Sequence, residues 1–230
     1  MVAIDGPAGA GKTTVTRGVA EQLGYLLLGT GALYRAVALA SARAGIPWSS
    51  PERVGRLATD LVTREGLKVA RADDGEQRVM LDGEDITDEL RSERIGGGAS
   101  QVSAIPSVRA ALLDVQRNAG KEGGIVAEGR DVGTVVFPDA EAKFFLTASV
   151  EVRARRRYDE TIARGLVADL ERIRRDVQER DLRDSTRDIA PLTQAPDAVL
   201  VDSSALTPDE VVAQIVSRVR EVEARLLGLR

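Results

Sequence analysis

The segment at residues 6–14 reads GPAGAGKTT and combines glycines with a lysine and two threonines. Glycines at this spacing let backbone N–H groups approach phosphate oxygens, and a helix that starts after them directs its positive dipole end at the anion. Lys12 would reach the β- and γ-phosphates of ATP, the Thr13 hydroxyl would bind Mg²⁺ together with ATP phosphates and water, and Thr14 would lie near the α-phosphate. The predicted ATP site comprises Gly6, Pro7, Ala8, Gly9, Ala10, Gly11, Lys12, Thr13 and Thr14.

A short apolar run precedes this segment and a helical pattern follows it, which argues against a glycine-rich turn without a ligand. Kinases, GTPases and nucleotide-switched binding modules all share such a loop. The chain has no NKxD sequence, the base-reading segment of GTPases. The apolar run at 125–127 leads into EGRD at 128–131, where larger ATPases usually carry an acidic pair. This pattern favours a kinase with a second anionic substrate.

Arginines supply nearly all of the positive charge, because lysine occurs at only four positions. Phosphoryl transfer between two phosphates requires that two polyanions be held in line, a task for which guanidinium groups are suited. Arg153, Arg156 and Arg157 stand at i, i+3 and i+4 and share a helix face, although a solvated face paired with carboxylates such as Glu151 would give the same pattern. The candidates are Arg35, Arg109, Arg130, Arg153, Arg156, Arg157, Arg180, Arg183 and Arg187.

The overall composition limits the chemistry that the chain can perform. The 230 residues carry a formal net charge of −4, which disfavours a nucleic-acid polymer as partner. Cysteine and histidine are both absent, so disulfides, thiolate nucleophiles and histidine acid–base catalysis are excluded. The chain shows no signal-peptide pattern and no apolar run of about 18 residues. We therefore expect a cytoplasmic protein without a membrane partner.

Short apolar runs alternate with patterns of helical period, as is typical of an α/β fold with a parallel sheet. The predicted strands are 2–4, 25–28, 125–127, 143–146 and 198–201. The predicted helices are 13–23, 32–44, 108–118, 150–164, 169–181 and 208–227. The last helix should begin with a capping box formed by Thr207 and Glu210, with Pro208 at its first position. We predict a P-loop NTPase fold, with a five-stranded parallel sheet and helices on both faces.

The segment 67–86 interrupts this alternation. It contains two strand-like stretches and two Asp-Gly dipeptides, at 74–75 and 82–83, which are typical of hairpin turns. We predict a small antiparallel insert at this point, within a single domain.

Five segments make the sequence similar to the bacterial cytidylate kinase family of nucleoside-monophosphate kinases, nearly from end to end. The stretch EGRDVGTVVFP is far more specific than the phosphate loop. The resemblance implies Mg²⁺-assisted, in-line phosphoryl transfer from ATP to CMP and dCMP, within pyrimidine nucleotide metabolism and in a monomer. The segments are GPAGAGKTT at 6–14, TGALYR at 30–35, ASQVSAIPSVR at 99–109, AEGRDVGTVVFPDA at 127–140 and ERDLRDSTRDIAPL at 179–192.

The architecture of that family implies a division of the chain. A kinase core would comprise 1–60, 95–150 and 190–230, with a monophosphate-binding insert at about 61–94 and a helical lid at about 150–188. The lid would close over ATP and exclude water. The catalytic set would be Lys12, Arg130, Arg153, Arg157 and Arg180, and Arg156 would join the ATP site.

The resemblance also assigns three groups of residues to the acceptor nucleotide. The phosphate would be bound by Thr30, Arg35, Arg130 and Arg180. The cytosine edge would be read by Ser100, Arg109 and Asp131, and the sugar would be approached by Asp184 and Arg187. A carboxylate suits base recognition, because it accepts from the exocyclic amino group that uracil lacks.

Simpler interpretations exist for several of these residues. Asp131 could pair with Arg130 across a turn, and Arg180 could be an exposed helical charge. Thr30 and Ser100 could serve only as helix caps.

The sequence also departs from the family, which usually has an acidic residue where Gly29 stands. Any support that such a carboxylate gives to the acceptor-site arginines must be absent or replaced. Two alternatives exist for the whole chain: a monophosphate kinase for UMP or AMP, and a nucleotide-gated binding module whose slow ATP turnover no monophosphate affects.

Overall fold

A computed structural model describes residues 1–71 and 77–228, which form two compact units. The first unit comprises Met1–Tyr25 and Ile125–Arg230, and the second comprises Leu26–Gly124. The strands are β1 (Val2–Asp5), β2 (Leu26–Gly29), β3 (Leu67–Arg71), β4 (Gln77–Leu81), β5 (Glu84–Asp85), β6 (Ile125–Gly129), β7 (Ala142–Thr147) and β8 (Val199–Asp202). The helices are α1 (Lys12–Leu23), α2 (Gly31–Arg43), α3 (Pro51–Thr63), α4 (Glu93–Val102), α5 (Pro106–Ala119), α6 (Val150–Ala163), α7 (Leu170–Thr186) and α8 (Pro208–Leu226).

The main sheet has five strands in the order β2-β6-β1-β7-β8, and β1 pairs in parallel with both β6 and β7. Every residue of β1 is buried, as expected for a central parallel strand whose two faces are both covered. The register places Asp5 opposite Gly129 on one side and Phe145 on the other. The predicted five-stranded parallel sheet is confirmed.

The predicted antiparallel insert is also confirmed, as a three-stranded sheet in the order β3-β4-β5. The turn between β4 and β5 consists of Asp82 and Gly83, both with positive φ (51° and 83°), and Leu81 pairs with Glu84 across it. Two successive left-handed residues give the turn the twist that a tight hairpin needs. The other predicted Asp-Gly turn, at 74–75, lies outside the described residues.

Helix α8 begins as predicted, because the Thr207 hydroxyl accepts from the Glu210 N–H while the Glu210 carboxylate accepts from the Thr207 N–H. Helix α7 continues to Thr186, five residues beyond its predicted end at 181. The sequence prediction missed two helices, α3 and α4. Three consecutive glycines at 96–98 concealed α4, since glycine is among the poorest helix formers.

The second unit has its own apolar core. Helices α2, α3, α4 and α5 enclose buried aliphatic side chains, which include Leu33, Val37, Leu61 and Leu112. Trp48 packs beside this core and donates its indole N–H to the Ala38 carbonyl at 2.9 Å. Within 1–71 and 77–228, no helix combines the length and the apolar character that a bilayer-spanning segment needs.

The glycines of α4 provide a matched test of this packing. A Cβ on Gly98 would lie 2.6 Å from the Trp48 ring, whereas a Cβ on Gly97 would meet nothing within 4 Å. We expect Gly98→Ala to lower the free energy of unfolding by about 1–3 kcal/mol, because the fixed indole cannot yield. Gly97→Ala should raise it by up to about 1 kcal/mol through helix propensity alone. Chemical denaturation of both variants measures the difference, and equal stabilities would contradict the packing.

Candidate active site

The phosphate loop runs from the end of β1 to the start of α1, and its glycines have backbone conformations that require glycine. Gly9 and Gly11 have φ values of 77° and 88°. A Cβ on Gly6 would lie 1.9 Å from the Leu146 carbonyl oxygen, so the loop passes directly against β7. The sequence therefore dictates a tight loop that delivers Lys12 to the first position of α1.

Lys12 is buried and points back into the loop. Its Nζ donates to the carbonyl oxygens of Gly6 at 2.8 Å and Pro7 at 2.7 Å. Burial and the nearby charges of Arg130 and Arg180 lower the pKa of the Lys12 ammonium well below its ordinary value. Positive charge from two arginines thus acts on Lys12, and the carboxylates of Glu128 and Asp5 oppose it in part.

Helix α6 holds the loop from outside through two arginines. Arg153 donates to the Ala8 carbonyl at 3.0 Å and to the Asp181 carboxylate at 2.6 Å. Arg156 donates to the Ala10 carbonyl at 3.5 Å and to the carbonyl of Ser203 at 2.6 Å. The solvated-face interpretation of this helix is therefore wrong for Arg153 and Arg156.

The remaining arginines of α6 differ from one another in exposure. Arg157 is half-buried. Arg155 is exposed, pairs with Asp159 at 3.0 Å and stacks on the Tyr158 ring. Among the four neighbouring arginines, Arg155 is the one on the outer surface.

Glu128 is a site residue that the sequence prediction missed. Its carboxylate accepts from the exposed Thr13 hydroxyl at 2.7 Å, and Thr14 beside it is also exposed. The sequence contains a signal for this residue, because Glu128 lies near the carboxyl end of a predicted parallel strand, and α/β folds bind ligands at such strand ends.

Five predicted acceptor residues of the first unit form two ion-pair groups, in which both carboxylates are buried. Arg130 donates to Asp184 at 2.9 Å, and Arg180 lies 3.9 Å from the same carboxylate. Arg187 donates to Asp131 at 3.3 Å. Arg180 is not an exposed helical charge, and the partner of Asp131 in this group is Arg187 rather than Arg130.

The pKa of Asp184 follows from these charges. Burial alone would raise the pKa of this carboxyl, but the guanidinium groups of Arg130, Arg180 and Arg187 outweigh burial and lower it. Asp184 therefore remains ionised and holds Arg130 in place.

In the second unit, Arg35 donates to the Leu90 carbonyl at 2.7 Å and passes close to Gly96, where a Cβ would lie 3.1 Å from its Nη1. Buried Arg109 donates to the Ser103 carbonyl at 3.4 Å and stacks on Tyr34 at 5.5 Å. Arg35 thus lies beside α4, and Arg109 lies beside Tyr34, the residue before Arg35.

The two predicted hydroxyl residues of this unit are both buried. Thr30 occupies the N-cap position of α2, but its side chain makes no capping hydrogen bond. Ser100 lies inside α4 rather than at its end. The interpretation of these two residues as simple helix caps is therefore wrong.

The Gln77 side chain contacts Gly29, the position at which the sequence departs from the family resemblance. The Gly29 N–H donates to the Gln77 Oε1 at 2.6 Å, and the Gln77 amide donates back to the Gly29 carbonyl at 3.3 Å. This two-way bond fixes the residue before Thr30. No sequence signal pairs positions that are 48 residues apart.

Asp5 is a third residue that the sequence prediction missed. Its carboxylate is buried at the end of β1 and accepts from the N–H groups of Val132 and Gly133 at 2.8 and 2.7 Å. Burial raises the pKa of Asp5 to about 6, against the opposing effect of these two hydrogen bonds.

Comparison with known proteins gives matches along most of the chain. A family model described as Cytidylate kinase matches residues 2–221. A cytidylate kinase from Citrifermentans bemidjiense is 50% identical over 222 residues, which cover 96% of this chain and 93% of that protein. Another from Pelotomaculum thermopropionicum is 48% identical over 218 residues, which cover 95% of both.

A solved structure gives a more distant match. An uncharacterised protein from Eubacterium ventriosum superposes with a TM-score of 0.50 at 11% identity, covering 95% of this chain and 97% of that chain. At this identity the likeness concerns the fold alone.

The raised pKa of Asp5 predicts how stability depends on pH. Between pH values near 4 and 6 the native protein holds a proton at Asp5 that the unfolded chain has released, so stability falls as pH rises through this range. We expect the free energy of unfolding of the wild type to lose about 3 kcal/mol relative to Asp5→Asn. Denaturation of both proteins at several pH values measures this, and a pH-independent difference would contradict the shift.

Proposed function

Because this chain belongs to the cytidylate kinase family, we propose that it transfers the γ-phosphoryl group of ATP to CMP and dCMP. The products are ADP and CDP or dCDP. A monomeric state and a cytoplasmic location are parts of the same proposal.

The observation that carries this proposal is the accumulation of positive charge around Lys12. Burial lowers the pKa of the Lys12 ammonium, the charges of Arg130 and Arg180 lower it further, and the carboxylates of Glu128 and Asp5 oppose this effect. Cations near one another repel, and anions that bind among them reduce the repulsion. Two phosphate groups, one from each nucleotide, supply the negative charge that such a group needs.

We propose that catalysis relies on positioning and charge neutralisation. Lys12 binds the β- and γ-phosphates of ATP, and Arg153 and Arg157 neutralise the charge that develops during transfer. Arg130 and Arg180 hold the acceptor phosphate in line. The acceptor is already an anionic oxygen, so no strong base is required, which is consistent with a chain that has no histidine.

The start of α1 has a donor set that fits Mg²⁺. Thr13 Oγ1 and Glu128 Oε1 are oxygen donors 2.7 Å apart, and oxygen is the ligand that Mg²⁺ prefers. The described part of the chain has no group of three acidic side chains that would hold a metal ion without phosphates. We infer that Thr13 holds Mg²⁺ together with ATP phosphates and water, with Glu128 as a nearby acceptor. When bound, the ion neutralises charge on the phosphate oxygens.

Recognition of cytosine is proposed for Asp131. Its carboxylate is buried and accepts from Arg187. An exocyclic amino group at this position would donate a charge-assisted hydrogen bond to the carboxylate. Uracil presents a carbonyl oxygen at that position, which a carboxylate repels. Arg187 and Asp184 are proposed to approach the sugar.

In the second unit, Thr30 and Arg35 are proposed to bind the acceptor phosphate, and Ser100 and Arg109 the base. The contacts of Arg35 with Leu90 and of Arg109 with Ser103 and Tyr34 hold both guanidinium groups in fixed positions. The ATP site is proposed to comprise residues 6–14 and Arg156. The segment 150–188 is proposed to form the lid.

Release of ADP with different acceptors tests the proposed function. We expect ADP release to be strongly dependent on CMP or dCMP and much weaker with UMP or AMP. Turnover of ATP that no monophosphate changes would instead indicate a nucleotide-gated binding module. Greater activity with UMP or AMP than with CMP would contradict the cytidine assignment.

A substitution at Asp131 tests base recognition separately. Asp131→Asn removes the charge and gives uracil O4 a donor, so we expect the ratio of kcat/KM for CMP to that for UMP to fall by about tenfold or more. Asp139→Asn, an identical change at an exposed position of the same segment, serves as the control. An unchanged ratio in Asp131→Asn would refute the role of Asp131.

A further inference from the structure

The carboxylate of Asp5 clamps two successive backbone N–H groups. Val132 donates to Oδ1 at 2.8 Å and Gly133 donates to Oδ2 at 2.7 Å, so each carboxylate oxygen is matched to one donor. The side chain lies in the interior, only 4% exposed. The register of β1 with β6 places Asp5 opposite Gly129, immediately before the segment that carries the acceptor-site residues.

The clamped N–H groups belong to an unusual turn. Residues Val132–Val136 form a single stretch of π-helix, and Asp131 stands at its N-cap. The Asp131 carbonyl accepts from Val135 at 2.9 Å and from Val136 at 3.1 Å. π-Helical turns are rare in proteins, and they are frequent at functional sites. Asp5 supplies support at the two donors that follow Asp131.

Glycine at 133 allows this close approach. A Cβ there would lie 3.4 Å from the Asp5 Oδ2 and 3.2 Å from the Lys143 Cδ. The turn is therefore fitted tightly between the end of β1 and β7. A buried carboxylate is a costly way to fill space, because it must be desolvated, and an apolar side chain would serve a purely packing role better.

We propose that Asp5 is a positioning residue for the acceptor nucleotide: by fixing the N–H groups of Val132 and Gly133, it holds Asp131 and Arg130 at the positions where they bind cytosine and the acceptor phosphate. This inference rests on the proposed function. The proposed positioning role is distinct from an electrostatic effect of Asp5 on Lys12, although the charge of Lys12 also acts on Asp5.

Asp5→Asn is the first test, since one oxygen of the clamp is replaced by an NH₂ group that cannot accept from Gly133. We expect kcat/KM for CMP to fall about 10- to 100-fold, with KM for ATP changed less than about threefold. The preference for CMP over UMP should fall as well. Asp139→Asn is the matched control and should leave all three quantities unchanged. If Asp5→Asn raised KM for ATP and left the CMP-to-UMP ratio unchanged, Asp5 would act on the phosphate loop and the proposal would fail.

The double variant Asp5→Asn with Asp131→Asn tests whether Asp5 acts through Asp131. We expect the loss of the CMP-to-UMP preference in the double variant to equal that of Asp131→Asn alone. Independent, additive losses would overturn this part of the proposal.

Amide exchange in the wild type covers the case in which Asp5→Asn does not fold, because it needs neither a variant nor a substrate. Slow exchange at Val132 and Gly133 supports the clamp, and exchange as fast as in an exposed loop refutes it. Wild-type protein without CMP-dependent ADP release would instead refute the proposed function itself.

Discussion

The first unit holds positive charges that repel one another, on Lys12, Arg130 and Arg180. Burial lowers the pKa of the Lys12 ammonium, and the charges of the two arginines lower it further. Repulsion of this kind is strong where water is excluded. The unit offsets it locally: Asp184 accepts from Arg130, and two loop carbonyls accept from Lys12. Because the carboxylate and the carbonyls are fixed by the fold, the cations are held in position in the absence of a ligand, which is the preorganisation that electrostatic catalysis requires.

Contacts with the arginines of α6 also shape the phosphate loop. The carbonyls of Ala8 and Ala10 accept from arginines of α6. In a planar trans peptide the C=O and N–H point in opposite directions, so a carbonyl turned toward α6 directs its peptide N–H away from that helix. Gly9 makes this possible, because a Cβ there would lie only 3.2 Å from the Cβ of Arg153. Helix α6 therefore does more than carry charge: it helps to set the orientation of the loop.

Local sequence was sufficient to predict the features that depend on local physics. The strand–loop–helix around Lys12, the capping box at Thr207 and the hairpin turn at 82–83 each depend on residues that are close in sequence. Helix α4 was missed because its glycines have poor helix propensity, and tertiary packing around Trp48 overrides that preference.

Two of the missed residues, Asp5 and Gln77, required knowledge that local sequence does not contain. The Asp5 carboxylate meets the Gly133 N–H across 128 positions, and the pairing exists only because β1 and β6 are neighbours in a fixed register. Gln77 reaches Gly29 only because a separate small sheet places it there. The resemblance to a family predicts which side chains meet the substrates, but the groups that hold those side chains are visible only in the tertiary structure.

Carboxylates among the arginines compete with any anionic ligand for the same cations. Asp131 shows why this competition is limited. A carboxylate has about four lone-pair sites, so accepting from Arg187 does not prevent it from accepting from a further donor. Asp184 likewise engages Arg130 through the Nε atom, while a guanidinium has five N–H donors in all. Each of these ion pairs therefore orients its two side chains through only part of the hydrogen-bonding capacity of the two groups.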